Sequence, residues 1–187
     1  MAAPSCRKCN NSYSLDEEYL ACLLECVIVG VVDPAELHRP KIARILRGNA
    51  SLLDRLQKSR TEGDGSPVWM AEIERVQRVI VKLARCHAAF ELNEPQLEDP
   101  AHLIAKPLKL MAADELSAFE YQNEASVLWP EVGSRAMQRL LISGTNLFTE
   151  GWIVVQEGNY RYQVHQDNQL TVKIVLREYL GCEIIWT

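Results

Sequence analysis

The chain has 187 residues, long enough to bury one ordinary core or two small ones. Its 48% hydrophobic and 24% charged residues exclude a collagen-like, wholly disordered or disulfide-dense protein. A net charge of −5 argues against a general binder of polyanions.

The N-terminal MAAPSCRKCNN lacks the apolar core of a secretory signal. The longest apolar run, Leu20–Val32, is interrupted by Glu25 and is too short to span a bilayer, so no membrane partner is expected. Six cysteines occur, and Cys22, Cys26 and Cys86 sit in apolar periodic segments, which fits a reduced cytoplasm better than an oxidised framework.

Ser14 followed by Glu17 reads as a capping box, with Asp16 and Glu18 adding favourable charge to a first turn. It predicts a helix over 15–29, with Leu15, Tyr19, Cys22, Cys26 and Val29 on one face and Gly30 as its stop. Asp33-Pro34 with Glu36 starts a short helix, and Pro40 starts another that ends at Gly48. Asn49 caps a helix reaching Arg60, and 61–67 (TEGDGSP) is a loop by composition. The strongest periodicity predicts a helix over 68–92, with Trp69, Ile73, Val76, Ile80, Leu83, His87 and Phe90 as a buried stripe. Here His87 reads first as a hydrogen-bonded core histidine. Residues 93–110, with Pro95, Pro100 and Pro107, are expected to be mostly irregular, followed by short helices near 113–119 and 134–142. The period then changes: 152–157, 160–165, 170–177 and 182–186 read as strands of an antiparallel meander. Turns fall at Gly158-Asn159 and Asp167-Asn168. The expected fold class is α+β: a helical N-terminal half (1–92) and an irregular and sheet-forming part (93–187), packed as one compact domain.

Charge is uneven. Residues 38–90 hold eleven Lys/Arg against five Asp/Glu, and residues 91–131 hold two against nine. Arg75, Arg78, Lys82 and Arg85 lie opposite the apolar stripe of the long helix and form a candidate nucleic-acid face. The competing reading is a solvated helix surface, or pairing with the acidic block.

One motif carries chemistry. Cys6-x-x-Cys9 can turn two sulfurs toward one zinc ion, but a tetrahedral site needs two more ligands. Cys22 and Cys26 are one source, since Cys6-x2-Cys9-x12-Cys22-x3-Cys26 has the spacing of a small ββα finger, with Tyr13 and Tyr19 at its core positions. A reading helix that begins Leu15-Asp16-Glu17-Glu18 would repel phosphates, however. The other source lies outside the chain. A frayed terminus without metal is the third reading.

The string PSCRKCNNSYSLDEEY resembles the second knuckle of HNH-type nucleases of the treble-clef zinc class, as found in some bacterial proteins. The resemblance implies that Cys6 and Cys9 are zinc ligands, with Asn10 at the polar position after the knuckle. In that family a first Cys-x-x-Cys and a histidine-bearing strand precede this point, and both would lie before Met1. No catalytic residue is therefore expected in this chain, which reads as an HNH-related scaffold or, alternatively, a non-catalytic interaction or nucleic-acid-binding module. No phosphate loop, nucleophile elbow or His-Glu-x-x-His is found.

Overall fold

The computed structural model describes the backbone of residues 7–63, 65–120, 141–142, 144, 148–149, 151–166 and 168–187, and side chains from Asn11 onward within them, those of 148–149 excepted. The fold is α+β. The chain divides into two compact units, Ser5–Val79 and Ile80–Thr187, and the division falls inside the long helix rather than after Leu92.

The first unit is helical. Helix α1 (Arg7–Val29) begins about two turns before the expected start. The Ser14 hydroxyl donates to the Asn11 carbonyl at 2.9 Å, so it is spent inside the helix and caps nothing. Tyr19, Leu20, Cys22, Leu23, Leu24 and Cys26 are buried, whereas Leu15, expected on the same stripe, is 67% exposed. Gly30, at φ +86°, stops the helix, with its N–H bonded to the Cys26 carbonyl. At 33–36 the Asp33 carboxylate accepts from Ala35 N at 2.8 Å, and the segment is a single turn, not the short helix expected.

Helices α2 (Pro40–Gly48) and α3 (Ala50–Ser59) are separated by Asn49 alone, whose Oδ1 accepts from Leu52 N at 3.0 Å as predicted. Ile42, Ala43, Leu46, Leu52 and Leu56 turn inward. Glu25, the acid inside the apolar run, accepts from Arg39 N at 2.9 Å and so takes up an orphan donor at the start of α2. The expected loop 61–67 is largely a hairpin: β1 (Arg60–Glu62) pairs antiparallel with β2 (Pro67–Trp69). The long helix α4 (Ile73–Glu91) therefore starts later than predicted and excludes Trp69. Its buried line is Val76, Val79, Ile80, Ala84, His87 and Ala88, so the face is rotated: Ile73 is exposed and Leu83 only half-buried.

The second unit holds the later turns of α4, strand β3 (His102–Pro107), a 3-10 turn (Leu108–Leu110), α5 (Ala113–Glu120) and strands β4 (Phe148–Thr149), β5 (Trp152–Gln156), β6 (Tyr160–Gln166), β7 (Leu170–Leu176) and β8 (Leu180–Trp186). The sheet order is β3-β8-β7-β6-β5-β4, antiparallel throughout. β5 to β8 are the predicted meander. β3 is the correction: 102–107 was expected to be irregular, yet it pairs with β8 over its full length. As an edge strand ending at Pro107 it loses little from proline's missing N–H. The expected helix near 134–142 lies mostly outside the described residues, as does Asp167 of the second turn; Leu141 and Ile142 are helical.

Alternation along β6, β7 and β8 gives the sheet two faces. On one, the row Tyr162, Ile174, Cys182 and the row Val164, Val172, Ile184 are all buried. On the other, Phe119, Trp152 and Val175 form a core with Leu108 and Met111. Gly181 belongs there because a Cβ would lie 2.7 Å from Leu108 and 2.8 Å from Met111. Among the described residues, no helix is long and apolar enough to cross a membrane.

Candidate functional site

Cys6 lies outside the described residues. Cys9 is the third residue of α1, and its side chain is likewise undescribed. The backbone alone decides one question. Cys22 is thirteen residues farther along the same continuous helix, so a rise of ~1.5 Å per residue separates it from Cys9 by about 20 Å. Ligands of one zinc ion sit only ~2.3 Å from the metal. The four-cysteine reading is therefore overturned, and Tyr13 and Tyr19 belong to α1, not to a ββα finger. Cys22 and Cys26 are buried core residues, and burial pushes both thiols up to about 12. Among the described residues no group of three or more His, Cys, Asp or Glu is placed to hold a metal ion.

The candidate basic face is engaged internally. Asp16, expected in a first turn, sits in the interior of α1 and is itself buried. Arg75 Nε approaches its Oδ1 at 2.5 Å and Arg78 its Oδ2 at 2.8 Å. Aromatic rings back the arginines: Arg75 and Arg55 lie over Tyr19 at 5.0 and 5.7 Å, and Arg78 over Tyr13 at 5.3 Å. The Tyr19 hydroxyl accepts from Glu72 N at 2.8 Å, and Glu72 pairs with Arg55. Arg85 donates to the Glu98 carbonyl at 2.7 Å and pairs with Asp99 at 3.0 Å, which is pairing with the acidic block. Lys82 also has a partner. Arg75 and Arg78 fall in the first unit, Lys82 and Arg85 in the second.

Two polar clusters were not singled out by sequence reasoning as units. The first lies between α4 and the sheet. His87 Nε2 is 2.5 Å from Tyr160 Oη, and its ring stacks on Tyr162 at 3.6 Å. Tyr162 in turn donates to the buried Glu91 at 2.5 Å. His87 Nδ1 has no hydrogen-bond partner among the described residues. Burial holds the imidazole down at about 3 and pushes the Tyr160 phenol well above its usual range. His87 is thus the core histidine expected, kept neutral. The i, i+4 spacing of His87 and Glu91 and the i, i+2 spacing of the tyrosines are the signals that bring them together.

The second cluster occupies the other sheet face. Arg161 makes a two-pronged pair with Glu120 at 2.8 Å, reaches Glu178 at 3.0 Å, and lies 4.2 Å over the Trp152 ring. Glu178 and Arg177 both take positive φ in the β7–β8 turn, which aims Glu178 at Arg161. One row away, Lys173 donates to the carbonyls of Ala118 and Phe119 at 3.2 and 2.9 Å, closing the C-terminal end of α5. Burial pushes its ammonium down, against the opposing pull of Glu183 at 3.8 Å. Gln163, opposite Lys173, accepts from the ring of His165 at 2.8 Å. Arg161 and Lys173 hold α5 and the β7–β8 turn to the sheet, while the buried Gln163 Nε2 has no hydrogen-bond partner among the described residues.

Compared with known proteins, the chain matches no family model, no curated protein and no solved structure.

Proposed function

We propose that the chain is the part of an HNH-nuclease-like protein that follows the second zinc knuckle, with Cys6 and Cys9 as two of the four zinc ligands, and that it is not catalytic by itself. The observation that supports this reading is the position of the knuckle at the head of a long helix. Cys6 immediately precedes α1 and Cys9 falls in its first turn. The positive end of the helix dipole favours a thiolate in the first turn, where Cys9 stands. The chain's own residues would then supply half of a tetrahedral shell, and α1 would anchor that half to the buried face formed by Tyr19, Leu20 and Leu23.

Elemental analysis tests the metal half of the reading. The purified chain is expected to hold zinc below one per chain and to release it to a mild chelator, with Cys6→Ser and Cys9→Ser removing what is bound. One tightly held zinc that survives both changes sinks it. Incubation with plasmid DNA and magnesium or manganese tests the other half: no cleavage is expected, and cleavage abolished by Cys9→Ala overturns it.

A further inference from the structure

The cations of residues 38–90 divide sharply once their partners are known. Arg55, Lys58, Arg60, Arg75, Arg78 and Arg85 are each in an ion pair. Helix α2 is different. It carries Lys41, Arg44 and Arg47 with no carboxylate of its own, and Arg39 stands immediately before it. All four are exposed, whereas Ile42, Ala43 and Leu46 of the same helix turn inward; Arg39 stands before the first turn in extended backbone. Among the described residues Arg39, Lys41 and Arg44 make no side-chain hydrogen bond or ion pair, while Arg47 donates to the Pro34 carbonyl at 3.1 Å. Asp33 and Glu36, the acids of the preceding turn, pair with none of them.

We propose that this face of α2, formed by Arg39, Lys41, Arg44 and Arg47, is a docking surface for the phosphate backbone of a nucleic-acid duplex. The inference is independent of the zinc reading and uses residues outside the basic face read from the sequence. Four unneutralised cations within about three helical turns complement a line of phosphates. The apolar side of α2 is occupied by the unit's own core, so the helix has nothing to insert into a bilayer. What remains is Coulombic attraction, without base-reading groups, and the net charge of −5 works against it over longer range. Binding is therefore expected to be weak, sequence-independent and salt-sensitive.

Fluorescence anisotropy of the full chain with a labelled duplex across a salt series tests this. Four phosphate contacts give a log–log slope of about −3.6, a loss of roughly a hundredfold between about 50 and 200 mM salt. Lys41→Ala/Arg44→Ala removes two contacts and is expected to bring the slope to about −2. Both side chains are exposed and make no contact the fold depends on, so circular dichroism should stay unchanged. Lys58→Ala/Lys109→Ala removes the same charge outside α2 and is expected to leave the slope as it was. The proposal is overturned by absence of binding at the lowest salt, by a slope indifferent to the α2 change, or by an equal loss in the control. Displacement of the duplex by phosphatidylglycerol vesicles at matched phosphate would assign the face to a lipid surface and overturn it as well.

Discussion

The helical unit and the sheet unit solve the same problem in opposite ways. Each buries polar side chains, but those of the helical unit are the acids Asp16 and Glu25, whereas the sheet unit sets the neutral His87 and Gln163 beside Glu91 and Lys173. In the helical unit Asp16 is held by Arg75 and Arg78, and Glu25 accepts from Arg39 N at the start of α2. In the sheet unit His87 is neutral, Tyr160 and Tyr162 carry the hydrogen bonds, and Lys173 leans on carbonyls, not on a close carboxylate. An ionic solution depends on a partner brought from far along the chain, and it fails when that partner is removed. A neutral solution depends on pH, and it fails when the group must charge.

The largest expected effect is therefore on pH. The folded-state value of His87 lies near 3 against 6.5 when unfolded, with burial as the cause. Between those values the unfolded chain binds a proton that the folded chain does not. Stability is thus fully present above pH ~6.5 and declines as the pH falls toward ~3, by on the order of 4–5 kcal/mol at the end of that range. His87→Phe should remove this part of the pH dependence. Denaturant unfolding of both proteins at several pH values reads it as a narrowing gap in slope, and parallel profiles would mean that His87 is not the group that resists the proton.

Next is the face of α4 that meets the core. Ile80 is fully buried, so Ile80→Ala should cost ~2–5 kcal/mol. Leu83→Ala should cost less, because Leu83 is only half-buried. Equal midpoints for the two variants would restore the sequence-derived stripe over the observed one.

That stripe shows why part of the fold was legible and part was not. The meander was readable because Tyr160 and Tyr162, like Val172 and Ile174, alternate with polar neighbours at the strand period, and nothing else competes for that pattern. Asn49 was readable because a side chain bonding its own third neighbour is a local event. β3 was hidden because His102–Pro107 is stabilised by β8, some eighty residues away, and Pro107 marked it as irregular. The rotation of α4 was hidden for the same reason: Ala84 and Ala88 are too small to register as a stripe, yet they form the close approach to the core. The pairing of the candidate basic face was hidden because charge spacing along a helix shows which residues share a side, not which acid elsewhere will claim them. Asp16 is nearly sixty residues from Arg75.

Asp16 supplies the third test. Asp16→Asn leaves Arg75 and Arg78 without their carboxylate in a mostly buried setting. The expected cost is about 1.5–3 kcal/mol, less than a fully buried pair would lose because Arg78 is half exposed. The loss should be smaller in high salt, whereas that of Ile80→Ala should not be. A loss that ignores salt would mean that Asp16 acts through packing and that charge does not hold the interior of the helical unit.

The smallest effect discriminates between sequence and structure most directly. If Ser14 were the N-cap of a helix that begins at Leu15, Ser14→Ala would cost ~0.5–2 kcal/mol, because a first-turn N–H would lose its acceptor. In α1 the residue stands two turns inside the helix, with its hydroxyl bonded back to the Asn11 carbonyl. That carbonyl already serves the helix ladder, so losing the hydroxyl strands no buried group. Alanine also has the higher helix propensity, by a few tenths of a kcal/mol. Ser14→Ala should accordingly be neutral or slightly stabilising in thermal unfolding. A clear drop in midpoint would place the start of α1 near Leu15 and detach Cys9 from it, and with it the observation on which the zinc reading rests.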